Sequence, residues 1–239
     1  MTPEDVSDTT ERRSRASRTR TSRDGLGWRV FGICGELVLL AGFVMLGFIA
    51  YETWGRLGEL SDVQSQLEQE RETLWANESS GGVPPAGEQR RDDGRPLAVL
   101  AIPKLGLRWT IVEGTAPKDL RMAPGHYIGT AAAGQIGNFA VAGHRMRGMF
   151  WDLDTVKAGD RITVEDRTSR YVYEVNTNRI VRPDDAGVIL PVPGQPGQTP
   201  TVAQLTLTTC NPKWDNYQRL IVGAHLVASE PKPPNEGVR

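Results

Sequence analysis

Apolar and polar positions change their pattern several times along this chain, and each change predicts a different kind of element. Residues 1–29 are polar, rich in Ser, Thr and Arg, and carry no apolar periodicity, which reads as a disordered tail. From Val30 to Tyr51 the chain is almost wholly apolar (VFGICGELVLLAGFVMLGFIAY), about the length that crosses a bilayer as one helix. Trp28, Tyr51 and Trp54 flank it where an aromatic belt lies at a membrane surface. Glu36, the one charge in the span, sits within two turns of its start and is read as interfacial. Over residues 52–76 the pattern is helical and charged. Leu60, Leu67 and Leu74 recur at heptad spacing, and a single solvated stalk helix is expected, with a short coiled coil as the alternative. Residues 77–95 (ANESSGGVPPAGEQRRDDGR from Ala76 onward) hold Gly, Pro and charge with nothing to bury, so they are expected to be a flexible linker.

The pattern then shortens to the period of strands. Leu97–Ile102, Leu107–Val112, Gln135–Gly143, Arg161–Glu165, Tyr171–Val181, Val202–Thr209 and Arg219–Ala228 are short apolar or alternating runs divided by Gly, Pro, Asn and Asp. Short helices are expected over Pro117–Met122 and Phe150–Val156. Many short strands with few helices in one segment, 96–230, predict an all-β domain, a closed barrel or a sandwich, followed by a tail at 231–239.

Charge adds topology. Arg12, Arg13, Arg15, Arg18, Arg20, Arg23 and Arg29 precede the apolar span, whereas Arg56 and Arg71 are the basic residues in the acidic stretch after it. The positive-inside rule therefore expects a cytoplasmic N-terminus and an external C-terminal domain, with the span kept as a signal anchor. The net charge of −1 gives no reason to expect a nucleic-acid partner. No His, Cys or acidic pair has zinc-ligand spacing and no Gly-rich phosphate loop is present, so neither a metal nor a cofactor is expected.

The two cysteines then fall on different sides of the argument. Cys34 lies at membrane depth and Cys210 outside, so they are not expected to pair. A lone external thiol marks a reactive group or an intermolecular bridge. Cys210 closes the alternating run Leu205-Thr206-Leu207-Thr208-Thr209, in which Leu205 and Leu207 face one way and Thr206 and Thr208 the other. Asn211-Pro212 breaks that strand, and a polar loop leads to a second strand from Arg219. A hairpin of this kind brings Cys210 and Arg219 to one end of two neighbouring strands, a nucleophile beside a permanent cation. A free thiol of pKa about 8.5 is only a few per cent ionised at neutral pH, so a base or a cation is needed beside it. His225 is about 20 Å along its strand from Arg219 at about 3.3 Å per residue, which makes it structural or superficial. His126 (Pro124-Gly-His-Tyr127) and His144 (Val141-Ala-Gly-His-Arg145) both stand in loops that can reach the thiol.

Thr206-Leu-Thr-Thr-Cys210, Gly143-His144 and Arg219, in the order His, Cys, Arg, resemble the sortases, membrane-anchored cysteine transpeptidases of Gram-positive bacteria. Together with Pro124-Gly-His-Tyr127, Asn138-Phe-Ala-Val-Ala-Gly-His144-Arg and Leu207-Thr-Thr-Cys-Asn-Pro212, they look most like class E, with class D the nearest alternative. The resemblance implies an eight-stranded sortase-type β-barrel behind a single transmembrane helix. It implies Cys210, His144 and Arg219 as the catalytic set, and Tyr127, Thr208 and Thr209 as substrate-binding residues. The partners it implies are secreted proteins with a C-terminal sorting signal of the Leu-Ala/Pro-x-Thr-Gly type and the amine of a peptidoglycan precursor. The competing expectation is a non-enzymatic, membrane-anchored β-domain that binds a cell-surface partner, with Cys210 buried or bridging.

Overall fold

The computed structural model describes residues 24–51, 56–79, 94–121 and 123–232, which fall into two compact units, 1–52 and 53–239. The tail before Asp24, most of the expected linker and the end of the C-terminal tail lie outside the described residues. In the first unit one helix, α1, runs Asp24–Ala50. It starts at Asp24, ahead of the expected Val30, although Gly25 and Gly27 are weak helix formers. Its stretch Gly32–Ala50 is a candidate membrane span, with mean hydropathy 2.3 and no part buried in protein.

The second unit holds helix α2, Arg56–Ser79, and an eight-strand closed barrel. The strands are β1 (Pro96–Ile102), β2 (Leu107–Glu113), β3 (Gly125–His126), β4 (Gly137–Ala142), β5 (Arg161–Glu165), β6 (Ser169–Val181), β7 (Ala203–Asn211) and β8 (Gln218–Pro231), with a short helix α3 at Pro117–Leu120. Around the barrel the order is β1-β2-β3-β4-β7-β8-β6-β5. All pairings are antiparallel except β2 with β3 and β4 with β7. The expected strands reappear within two or three residues of their ends. β3 was not expected: two residues are too few to show a period of two. The helix expected over Phe150–Val156 shrinks to a single 3-10 turn at Leu153–Thr155.

Alternation along the strands fills the barrel. Leu100, Phe139, Val141, Tyr173, Leu205 and Leu207 are all essentially inaccessible and belong to one core cluster. The Tyr173 hydroxyl accepts a hydrogen bond from Gly134 N at 2.7 Å, and burial pushes its pKa up to about 12. The opposite face of β7 is polar. There Thr206 donates to Asn138 Oδ1 at 2.8 Å, while the Asn138 amide donates to the carbonyls of Val188 and Leu190. Those two bonds fasten the long β6–β7 connection over the outer surface of β4 and β7.

Helix α2 is not a free stalk. Leu60 is buried, and Val63, Gln64, Leu67, Arg71, Leu74 and Trp75 are all at least partly covered. This is an i, i+3, i+4, i+7 stripe turned to the barrel rather than to another chain. β3 is so short that most of β2 has an unpaired edge, and Gln64 Oε1 accepts the Thr110 N–H there at 2.7 Å. Farther along, the Trp75 ring has the Arg71 guanidinium over it at 4.4 Å and the Lys232 ammonium at 5.2 Å. The heptad leucines thus mark a helix docked on its own domain.

Candidate active site

Register brings the candidate residues together. β4 and β7 run parallel with Ala142 opposite Thr208, and Gly143 N donates to Thr208 O at 3.0 Å just past the strand end. Two residues beyond each partner come His144 and Cys210. On the other side of β7, Cys210 pairs directly with Arg219 of β8. Parity places Cys210 and Arg219 on the outer face: Phe139, Val141, Leu205, Leu207 and Leu220 point into the core, and Ala142, Thr208 and Ile221 away from it, while His144 stands in the turn just past the end of β4. With neighbouring strands about 4.8 Å apart, Cys210 and Arg219 stand side by side on β7 and β8, and the turn that carries His144 leaves β4 next to the Cys210 end of β7.

The three side chains are tethered to very different degrees. Cys210 is a half-buried free thiol. Arg219 is also half-buried, and its Nη1 donates to the carbonyls of Asn216 at 2.6 Å and Gln218 at 2.8 Å. Nε and Nη2 have no partner among the described residues, so the guanidinium is fixed by one nitrogen and keeps donors for a ligand. His144 is exposed, and its imidazole has no hydrogen-bond partner among the described residues. The glycine before it is sterically required: a Cβ on Gly143 would lie 2.5 Å from the Phe150 ring that packs beneath the turn.

His126 has a different fate. It is only 5 % exposed and stacks on Phe139 with ring centroids 4.8 Å apart. Its Nδ1 meets both Glu113 carboxylate oxygens at 3.1 Å and its Nε2 the Thr130 hydroxyl at 2.8 Å. Both ring nitrogens are engaged by these partners, whereas the His144 ring has none among the described residues. His225 is paired with Glu174 and Gln204 in mid-sheet, away from Cys210.

Tyr127 and Thr208 meet on the outer face, hydroxyl to hydroxyl at 3.0 Å. Thr209 departs from the expectation. It shares the inward face with Leu207, is 3 % exposed, and its Oγ1 is buried without a partner. Its hydroxyl is turned away from the surface on which Tyr127 and Thr208 lie, because residues alternate along a strand and Cys210 takes the outward place. Thr209→Val should therefore remove an unsatisfied polar group and raise stability by about 1 kcal/mol, read as a rise in thermal midpoint with KM for peptide unchanged. A lower midpoint, or a raised KM, would return Thr209 to the binding surface.

Sequence reasoning passed over Arg145. Its side chain is 3 % exposed, forms an ion pair with Asp154 at 2.9 Å, and donates to Trp151 O at 2.9 Å and Cys210 O at 3.3 Å. The available signal was its place directly after His144, but a basic residue in a loop reads as solvated until the loop is folded.

A family model described as a sortase domain matches residues 100–227. Sortase SrtE1 of Streptomyces coelicolor is 31% identical over 83% of this chain; the chain spans 57% of that relative's length. Sortase SrtE2 of the same organism is 28% identical, with 92% of this chain and 91% of that protein covered. Among solved structures, sortase E from Streptomyces avermitilis is 40% identical with a TM-score of 0.53, over 62% of this chain and 99% of that one.

Proposed function

The chain belongs to the sortase family, and on that premise we propose that it is a membrane-anchored cysteine transpeptidase. It cleaves a sorting motif of the Leu-Ala-x-Thr-Gly type between Thr and Gly. It then joins the Thr carbonyl to an amine of a peptidoglycan precursor. The single observation that carries the reading is the direct pairing of Cys210 with Arg219 on β7 and β8, beside the β4 end from which the His144 turn leaves.

In this reading the Cys210 thiolate attacks the threonine carbonyl carbon, and the carbonyl electrons move onto oxygen. Arg219, with Nη1 occupied by main-chain carbonyls, turns its remaining N–H groups to that oxyanion. As the C–N bond breaks, the protonated His144 gives its proton to the leaving glycine amine, and a thioester remains. The acceptor amine then attacks the thioester, His144 takes its proton, and the Cys210 thiolate departs. Tyr127, held by Thr208, contributes to the wall that meets the motif upstream of threonine. Thr208 acts through that contact. Helix α1 is the anchor, with the N-terminus cytoplasmic and the domain at 96–230 external, where secreted proteins carrying a sorting signal arrive.

Arg219→Lys keeps the charge and loses the fork. It should cost about a hundredfold in kcat, measured as steady-state ligation, because a lysine satisfying the two carbonyls keeps a single donor with no fixed direction. Retention of wild-type kcat would remove Arg219 from oxyanion binding.

The test of the whole reading uses the full chain in detergent with a Leu-Ala-x-Thr-Gly peptide, its Leu-Pro counterpart and a glycine-based amine, with products read by mass. Ligation at threonine with loss of glycine is expected, and faster with alanine than with proline. Cleavage without ligation would replace the transferase by a hydrolase. No reaction, with Cys210 inert to thiol reagents in the folded protein, would overturn the reading in favour of a binding domain.

A further inference from the structure

The proposed chemistry leaves one buried cation at the site without a role. Arg145 follows His144 directly, and its guanidinium reaches two separate pieces of chain, 151–154 and 210–211. Nε donates to Trp151 O at 2.9 Å, Nη1 contacts Cys210 O at 3.3 Å and Asn211 Oδ1 at 3.4 Å, and Nη2 is paired with Asp154 at 2.9 Å. His144 has no comparable anchor of its own: its ring is exposed and unbonded among the described residues. Its position relative to the thiol therefore depends on its main chain. That main chain is a turn closed on itself by Phe150 N donating to His144 O at 3.3 Å and Met149 N to Met146 O at 3.1 Å. Lys213 also ties this region to the β7–β8 loop, through Asp152 at 2.8 Å and Asp154 at 3.4 Å. Arg145 is the tether that ends on the main chain of the nucleophile itself.

We infer that Arg145 is a positioning residue, which holds the His144 turn against the Cys210 end of β7 and so keeps the imidazole within proton-transfer reach of the thiol and the leaving amine. The inference rests on the proposed roles of His144 and Cys210. A planar guanidinium suits the task because its donors diverge in fixed directions toward acceptors on different segments. A lysine ammonium reaches one or two of them and sets no angle between them. A shift of about 1 Å in a catalytic group costs up to about a hundredfold in rate, so a loosened turn is felt in kcat before it is felt in binding.

Two other roles compete. Arg145 could stabilise the thiolate by its charge alone, or it could simply hold the domain together. A double-mutant cycle separates them. The alkylation rate of Cys210 by iodoacetamide, followed against pH by mass on the peptide carrying Cys210 so that Cys34 does not interfere, is compared in the full-length wild type, Arg145→Lys, His144→Ala and the double variant. Ligation kcat and KM are measured alongside for wild type and Arg145→Lys. The expected result for Arg145→Lys is a fall in kcat of about tenfold or more with KM unchanged, and a shifted alkylation profile. In the His144→Ala background the same substitution changes alkylation by less than about twofold. An equal change in both backgrounds, or a fall carried by KM, overturns the inference. If Arg145→Lys fails to fold, Asp154→Asn removes the charge partner of Nη2 while leaving the main-chain contacts of Arg145 and the Lys213–Asp152 pair, and the same cycle is run with an expected change of about threefold. A His144→Ala protein that ligates at the wild-type rate would instead sink the assigned role of His144, an outcome visible without any Arg145 variant.

Discussion

Cys210→Ala is expected to leave no ligation product and no acyl-enzyme, while the protein stays folded. The alanine lacks the thiol, the strongest nucleophile at the site, and an acyl-imidazole on His144 would not persist as an acyl-enzyme. The cost to stability should be small, within about 1 kcal/mol, because Cys210 is half-buried, unbridged and outside the core cluster. Intact-mass measurement after mixing with peptide should show a thioester adduct on the wild type alone, and the thermal midpoints should nearly coincide. An adduct on the alanine variant would mean that another nucleophile carries the reaction. A collapse of the midpoint would make Cys210 a packing residue and the loss of activity uninformative.

His144→Ala should lower acylation of an amide substrate by about 10²- to 10⁴-fold. Proton delivery is demanded by the leaving group: an amine expelled without a proton is a very poor one, whereas a thiolate leaves unaided. Single-turnover acylation measured with a threonine thioester in place of the Thr-Gly amide should therefore recover most of the loss. If thioester and amide suffer equally, His144 serves to activate the thiol rather than to protonate the leaving amine. His126→Gln provides the contrast. With its ring lodged between Glu113, Thr130 and Phe139, the substitution should lower stability by about 1–3 kcal/mol. The acylation rate of the folded fraction should then stay within a few-fold of wild type. The opposite pattern would exchange the roles of the two histidines.

Local pattern by itself determined a good deal of this protein. The apolar run ending at Tyr51 specifies a membrane-length helix by composition and length. The alternation from Leu205 to Cys210, the Asn211-Pro212 break and the strand beginning near Arg219 specify a hairpin, so the Cys210–Arg219 pairing was legible: both partners lie within one short stretch of chain and a turn fixes their register. The tertiary structure alone decided the rest, because each remaining feature depends on partners far apart in sequence. The turn that carries His144 comes to the Cys210 end of β7 through the parallel pairing of β4 with β7, which no local signal encodes and which barrel closure imposes. The same closure gives His126 its Glu113 and Thr130 partners and so removes it from the chemistry. Helix α2 carries a heptad that serves equally well for a coiled coil, a free stalk or a docked helix. What selected docking was the β2 edge left unpaired by a two-residue β3, an edge that exists only once the barrel has formed. Thr209 and Arg145 complete the point: period two already turns Thr209 inward, yet whether its hydroxyl finds a partner, and whether Arg145 meets water or the carbonyl of Cys210, is set by the atoms that the folded chain brings around them.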